Sequence, residues 1–332
     1  MNKGNKDVDK GNKAMNKVND NMDRGKNDMD GGNNGMEFLT RKLGWCAGVI
    51  VVGMIGTAVC IGCGNLNGTD TNDGVGHDPD STAVCDSGRV QEAGLKDGKG
   101  LVMTGDAVID SLICNMVCVE GGSFMMGATA EQGDDAFDNE KPAHRVAVDD
   151  FMIGRYEVTQ KVWVTVMGNN PSSFEGDNRP VESVNWDDCQ VFIRKLNDRT
   201  GMHFRLPTEA EWEFAARGGR KSRGYRYAGS DEVDDVAWYA GNSGMATHDV
   251  GGKMPNELGL YDMSGNVYEW CSDEYGNYDA VMGDGQETAP VIPGRVMRGG
   301  SWFDSADYSR VSGRGNGVRD LRVYDMGLRL AL

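Results

Sequence analysis

The sequence predicts an α+β fold over residues 116–332, loop-rich, with few short helices and small antiparallel sheets. Glycine supplies 48 of 332 residues, well above the usual level of about 7%, and it dilutes regular structure because its backbone loses the most freedom on folding. The stretches with a 3.6-residue apolar period are few and short. Other segments alternate polar and apolar residues, the period of a half-buried strand.

In chain order, MVCVEGGSFMMG from Met116 reads as a strand, a Gly-Gly turn and a second strand. HRVAVDDFMIGRYEVT reads as one half-buried strand. Thr159 then caps a helix with Val162, Trp163, Val166 and Met167 on its apolar face, ended by Gly168. A second helix begins near Asn185 and presents Trp186, Cys189, Phe192, Ile193 and Leu196 before Gly201 stops it. Thr208 and Glu211 form a capping box for a third, with Trp212, Ala215 and Ala216 ahead of Gly218-Gly219. Aromatic residues at helical spacing are assigned to the core.

Upstream, the composition shifts twice. Residues 1–35 are a low-complexity run of Asn, Lys, Asp and Gly with little to bury, expected to be disordered. In residues 36–63, Arg41 and Lys42 precede an uncharged apolar stretch from Gly44 to Ile61, followed by Gly62-Cys63. That is the layout of a bacterial lipoprotein signal with Cys63 as the acylated residue, although Cys60 stands where an aliphatic side chain is usual. An uncleaved membrane helix is the alternative, since the run approaches the roughly 20 residues that span a bilayer; the layout favours the signal. A signal begins near its charged region, so Met36 is the expected start of translation. Residues 64–115, rich in Gly and Asp, read as a flexible tether with a solvated His77. The expected location is the cell envelope, reached through the N-terminal anchor.

The net charge of -17 argues against sequence-independent nucleic-acid binding and against attachment to anionic lipid, both of which need a basic surface. Of the eight cysteines, Cys189 and Cys271 lie in elements expected to be buried and read as small hydrophobes. A bridge from Cys85 to Cys114 or to Cys118 is open in an oxidising compartment.

VEGGSFMMG, EVTQKVWVTVMGNNPS, RPVESVNWDDC, FRLPTEAEWEFAARGG, NELGLYDMSGNVYEWCSD and RVMRGGSW occur in that order at ordinary spacing. Together they resemble the formylglycine-generating-enzyme, or sulfatase-modifying-factor, domain across essentially all of residues 116–332. The resemblance implies a loop-rich variant of the C-type-lectin fold. Authentic formylglycine generators place two copper-binding cysteines after the GGS[WY] phrase, and those positions correspond to Asp304 and Ser309 here. Soft thiolates hold Cu(I); neither a carboxylate nor a hydroxyl replaces them, so a copper site is not supported and the catalytic residues of the family are missing. The family's sulfoxide synthases hold iron with three histidines on an accessory domain that this chain lacks. His77, His144, His203 and His248 show no helical pairing, and an iron site is not supported either.

A structural Ca²⁺ is expected. Asp262 and Glu269 bracket a Ser-Gly-Asn turn, and Ca²⁺ takes about six to eight oxygens from carboxylates and carbonyls. The resemblance assigns the Asp262 and Glu269 side chains and the Gly265 and Val267 carbonyls as ligands. After RVMRGGSW, Gly, Ser and Arg residues alternate with Trp302, Phe303, Asp304, Asp307, Tyr308, Ser309, Asn316, Val318, Asp320, Tyr324 and Asp325. Small, aromatic and amide residues on a rigid scaffold are the vocabulary of a binding surface. The segment also resembles that of lectin-fold proteins diversified by retroelements, whose tethered domains bind ligands through varied positions after RGGSW. The expected function is a surface-tethered, non-catalytic module for a protein or glycan ligand. An oxidoreductase of the sulfatase-modifying-factor and nonhaem iron enzyme family, and a structural accessory lipoprotein, are the alternatives.

Overall fold

A computed structural model describes residues 103–278 and 294–332. The segments read as residues 1–35 and 36–63, most of the tether, Cys63 and His77 lie outside the described residues.

The fold begins earlier than the sequence suggested. Helix α1, Ala107–Cys114, is capped by the Asp106 carboxylate, which accepts from the Val108 and Ile109 amides at 3.0 and 3.3 Å. Its Ile109 and Ile113 are buried in the same core as Trp163 and Phe192. The end of the predicted tether is therefore part of the domain. Eight residues carrying two fully buried positions are too short a signal to stand out from Gly- and Asp-rich text.

Strands β1 (Met116–Val119), β2 (Gly122–Met126), β3 (His144–Val148) and β4 (Phe151–Gly154) form two separate antiparallel pairs, β1 with β4 and β2 with β3. The predicted single strand through residues 144–159 is thus broken at Asp149-Asp150. The break lies where the β1–β2 junction crosses it: the Gly121 amide donates to the Asp150 carboxylate at 2.8 Å, and a Cβ on Gly121 would sit 2.4 Å from the Asp149 backbone. Only glycine allows so close an approach.

The three predicted helices form, two of them with the predicted caps and the other with a capping box at its expected start. α2 is Gln160–Met167 behind Thr159, α3 is Trp186–Thr200 behind the Asn185/Asp188 capping box, and α4 is Glu209–Ala216 behind Thr208/Glu211. Gly168 and Gly201 close α2 and α3 in left-handed conformation. A four-residue helix α5, Val233–Val236, was not foreseen. Strands β5 (Tyr268–Glu274), β6 (Arg295–Arg298), β7 (Arg314–Gly317) and β8 (Met326–Gly327) make a sheet ordered β7-β6-β5-β8. β8 runs parallel to β5, whereas the other named strand pairs of the described residues are antiparallel.

One core packs α1, α2 and α3 against Trp270 of β5 and the chain end at Leu328 and Leu330; a second joins Trp212, Phe214, Ile153, Cys271 and Val296. Cys189 and Cys271 are fully buried free thiols. Cys114 is disulfide-bonded, whereas Cys118 is free and exposed; the partner of Cys114 lies outside the described residues. Because α1 is core and not tether, Ile113→Ala should cost about 2–4 kcal/mol in chemical denaturation; an unchanged midpoint would return α1 to the tether.

Candidate functional site

The C-terminal segment from Arg298 to Leu332 is fixed by arginines that point inward. Arg298 enters fully buried from β6, donating to Glu213 and standing 3.2 Å from Glu209, both of α4. Arg310 is fully buried and donates to Glu140 at 2.6 Å, and Ser312 donates to the other oxygen of that carboxylate. Arg314 forms a two-pronged pair with Glu209 at 2.8 and 2.7 Å. Arg329 does the same with Glu269 at 2.9 and 2.6 Å. A buried charge without its partner is strongly unfavourable, so these pairs hold one path for the chain.

Between the pins, side chains turn outward. Tyr308 and Val318 are 42% and 51% exposed, Asp320 is exposed, and Phe303, Asp304, Asp307, Asn316, Tyr324 and Asp325 are partly exposed. Two residues expected on this surface lie beneath it. Ser309 is fully buried, and Trp302 is 2% exposed, its indole N–H donating to the Tyr324 carbonyl at 3.1 Å. Trp302 is covered by the rings of Phe174, Phe303 and Tyr324, with centroids 5.1, 5.3 and 5.7 Å away.

Carboxyls gather at the same end. The Ser301 hydroxyl reaches Asp304 at 2.5 Å and Asp325 at 3.5 Å. Burial raises the Asp304 carboxyl; burial, with Asp304 beside it, pushes Asp325 up to about 6. Glu182 is buried close by and raised for the same reason. It accepts from the Ser173 and Phe174 amides and from the Ser183 hydroxyl. Glu140, Phe174 and Glu182 were not singled out from the sequence: a glutamate paired with an arginine 170 positions away leaves no local pattern.

The residues expected to hold Ca²⁺ lie along a buried turn, with Asp262, Gly265 and Val267, and at the start of β5, with Glu269. Asp262 has φ 56° and accepts from the Gly251 amide at 2.7 Å. Gly265 has φ 79°, and a Cβ there would lie 2.3 Å from the Trp238 carbonyl oxygen. Glu157 joins them, accepting from Asn266 at 2.7 Å and the Val267 amide at 3.1 Å. Burial and the neighbouring Asp262 and Glu269 raise the Glu157 carboxyl, and burial brings Asp262 to about 6. Three buried carboxyl groups thus lie around one guanidinium, Arg329. Both Glu269 oxygens already accept from Arg329, and one also from the Trp212 indole at 2.6 Å, so a cation would share them. Among the described residues, no three His, Cys, Asp or Glu side chains converge as a metal cluster; the expected set needs the two carbonyls.

The model of the sulfatase-modifying factor enzyme 1-like domain matches residues 109–332. The chain belongs to this family. Within it, the chaperone protein LppX of Paenibacillus barcinonensis is 32% identical over 266 residues, 65% of this chain and 88% of that protein. The formylglycine-generating enzyme of Streptomyces coelicolor is 33% identical over 198 residues, covering 51% of this chain and 60% of the enzyme. Among solved structures, Treponema denticola variable protein 1 is similar at 34% identity and TM-score 0.56, covering 65% of this chain and 94% of that one.

On this sulfatase-modifying-factor frame, the positions of the expected cysteine pair carry a carboxyl bonded to Ser301 and a buried hydroxyl, Ser309 Oγ, with no hydrogen-bond partner. If the pins govern the segment, Arg310→Met should destabilise by about 3–5 kcal/mol, because Glu140 is left buried without its cation. Asp320→Ala, on the exposed side, should change stability by under about 0.5 kcal/mol. Urea titrations of both variants check the contrast.

Proposed function

We propose that this domain is a non-catalytic binding module of the cell envelope that captures a protein or glycan through its C-terminal segment. One observation carries the reading: outward side chains of mixed chemistry alternate with buried arginines and serines that fix the backbone. A surface of this kind tolerates change without loss of fold, and the likeness to a variable protein supports membership of the retroelement-diversified group. The absence of cysteine at Asp304 and Ser309 supports a role without copper-dependent oxidation. The disulfide at Cys114 supports an oxidising location, and the signal-like layout before Cys63 supports acylation there as the anchor.

Structural Ca²⁺ belongs to the same proposal, with Asp262 and Glu269 side chains and the Gly265 and Val267 carbonyls as its holders. The ion would offset buried negative charge and stiffen the turn that carries β5; no chemistry is assigned to it.

Full-length protein screened against protein and glycan arrays should yield a ligand whose capture is lost in Tyr308→Ala/Val318→Asp. Val164→Asp, an exposed position on α2, should retain it. Equal capture by both variants would refute the C-terminal surface as the binding face, and turnover of a sulfatase-derived cysteine peptide would refute the non-catalytic reading. For the cation, 1 mM CaCl2 should raise the melting temperature over EDTA in the unmodified chain but not in Asp262→Ala. An identical melting temperature in both buffers removes Ca²⁺ from the account.

A further inference from the structure

We propose that the aromatic patch around Trp302 receives a lysine or arginine side chain of a polypeptide ligand. The proposal rests on the binding role given above to the C-terminal segment, and names the chemistry it selects.

The patch consists of three partly exposed rings, Phe174, Phe303 and Tyr324, arranged round the buried Trp302. Ring faces attract cations, and more strongly where water is partly excluded. Asp304 and Asp325 lie beside these rings, linked through Ser301, with Glu182 beneath, bonded to the Phe174 amide. The groups that bond these carboxyls are hydroxyls and amides. Basic side chains of the surrounding surface are engaged elsewhere: Arg319 with Asp187, Arg322 with Asp188, and Arg226 with Asp135 and Asp307. Among the described residues no basic side chain pairs with Asp304, Asp325 or Glu182, so the patch is a partly desolvated acidic spot walled by rings.

A ligand ammonium or guanidinium supplies that charge, and an acidic ligand is repelled. A polypeptide is favoured by an exposed apolar side chain on a neighbouring turn. Met245, 53% exposed, is carried on a turn whose Ser243 hydroxyl donates to the Trp302 carbonyl at 2.8 Å. Residues flanking the ligand's basic side chain would have Met245 to pack against. Asp325 also gives the interaction a pH signature. It faces Asp304 and Glu182, with Tyr268 and Tyr324 adjoining, and its carboxyl is held at about 6, so cation binding strengthens as pH rises through that value.

The test uses the full chain and end-blocked glycine pentapeptides with one central Lys, Arg, Gln or Glu, titrated by ligand-observed NMR. The Lys and Arg peptides should bind at least tenfold more tightly than the Gln peptide, and more tightly at pH 7.5 than at pH 5. Asp304→Asn/Asp325→Asn should abolish the preference, and Tyr324→Ala should weaken it several-fold should the double variant fold poorly. Asp149→Asn/Asp198→Asn, which removes the same charge from exposed positions on other elements, should leave it intact. Equal binding of the Lys and Gln peptides, or equal loss in both double variants, overturns the proposal. If the arrays above still show capture that depends on Tyr308 and Val318, only this assignment fails and the broader binding role stands.

Discussion

The structure depends on arginine side chains of the C-terminal segment being buried against carboxylates contributed by distant parts of the chain. Arg298 meets α4, Arg310 meets the loop at Glu140, Arg314 returns to α4, and Arg329 reaches β5. Replacing such pairs with well-packed hydrophobes is often neutral, whereas breaking one is costly. Their effect is therefore selective more than additive: any other threading of the segment would bury a charge alone. That selection suits a region with little regular structure, where β7 and β8 together supply few ladder bonds.

A segment held from below has its upper side free. Tyr308 illustrates this. Its ring is largely exposed and leans on Phe137, while two positions on, the Arg310 guanidinium is sealed from water. The same division separates a formylglycine-generating frame from its chemistry. The fold belongs to the family, whereas Asp304 and Ser309 stand where the resemblance puts the cysteines of its copper enzymes, which is why binding and not oxidation is proposed for this surface.

Much of this was legible in the sequence where the signal is local. Caps read at Thr159 and Thr208 marked two helix starts, and the third start fell at Asn185, near where it was expected, because a cap is a bond between near neighbours. The mixed aromatic, small and acidic residues after Trp302 pointed to an outward surface but not to which positions are buried: Arg310 and Ser312 are sealed, whereas Ser305, Arg319 and Arg322 are exposed. Signals that depend on distant partners were not legible. The strand break at Asp149-Asp150 follows from contact with Gly121, and α1 is fixed by packing against α2 and α3. Ser309 and Trp302 were placed on the surface because polar and aromatic residues in a stretch of mixed composition look accessible; the rings over Trp302 come partly from Phe174, far upstream.

The account is tested most directly by saturation mutagenesis of residues 301–325 in the displayed full chain, scored for folding by protease resistance. It predicts alternation, with nearly all substitutions accepted at Phe303, Asp307, Tyr308, Val318, Asp320 and Tyr324 and nearly all rejected at Ser309, Arg310, Ser312 and Arg314. Tolerance that is uniform along the segment, in either direction, would contradict it.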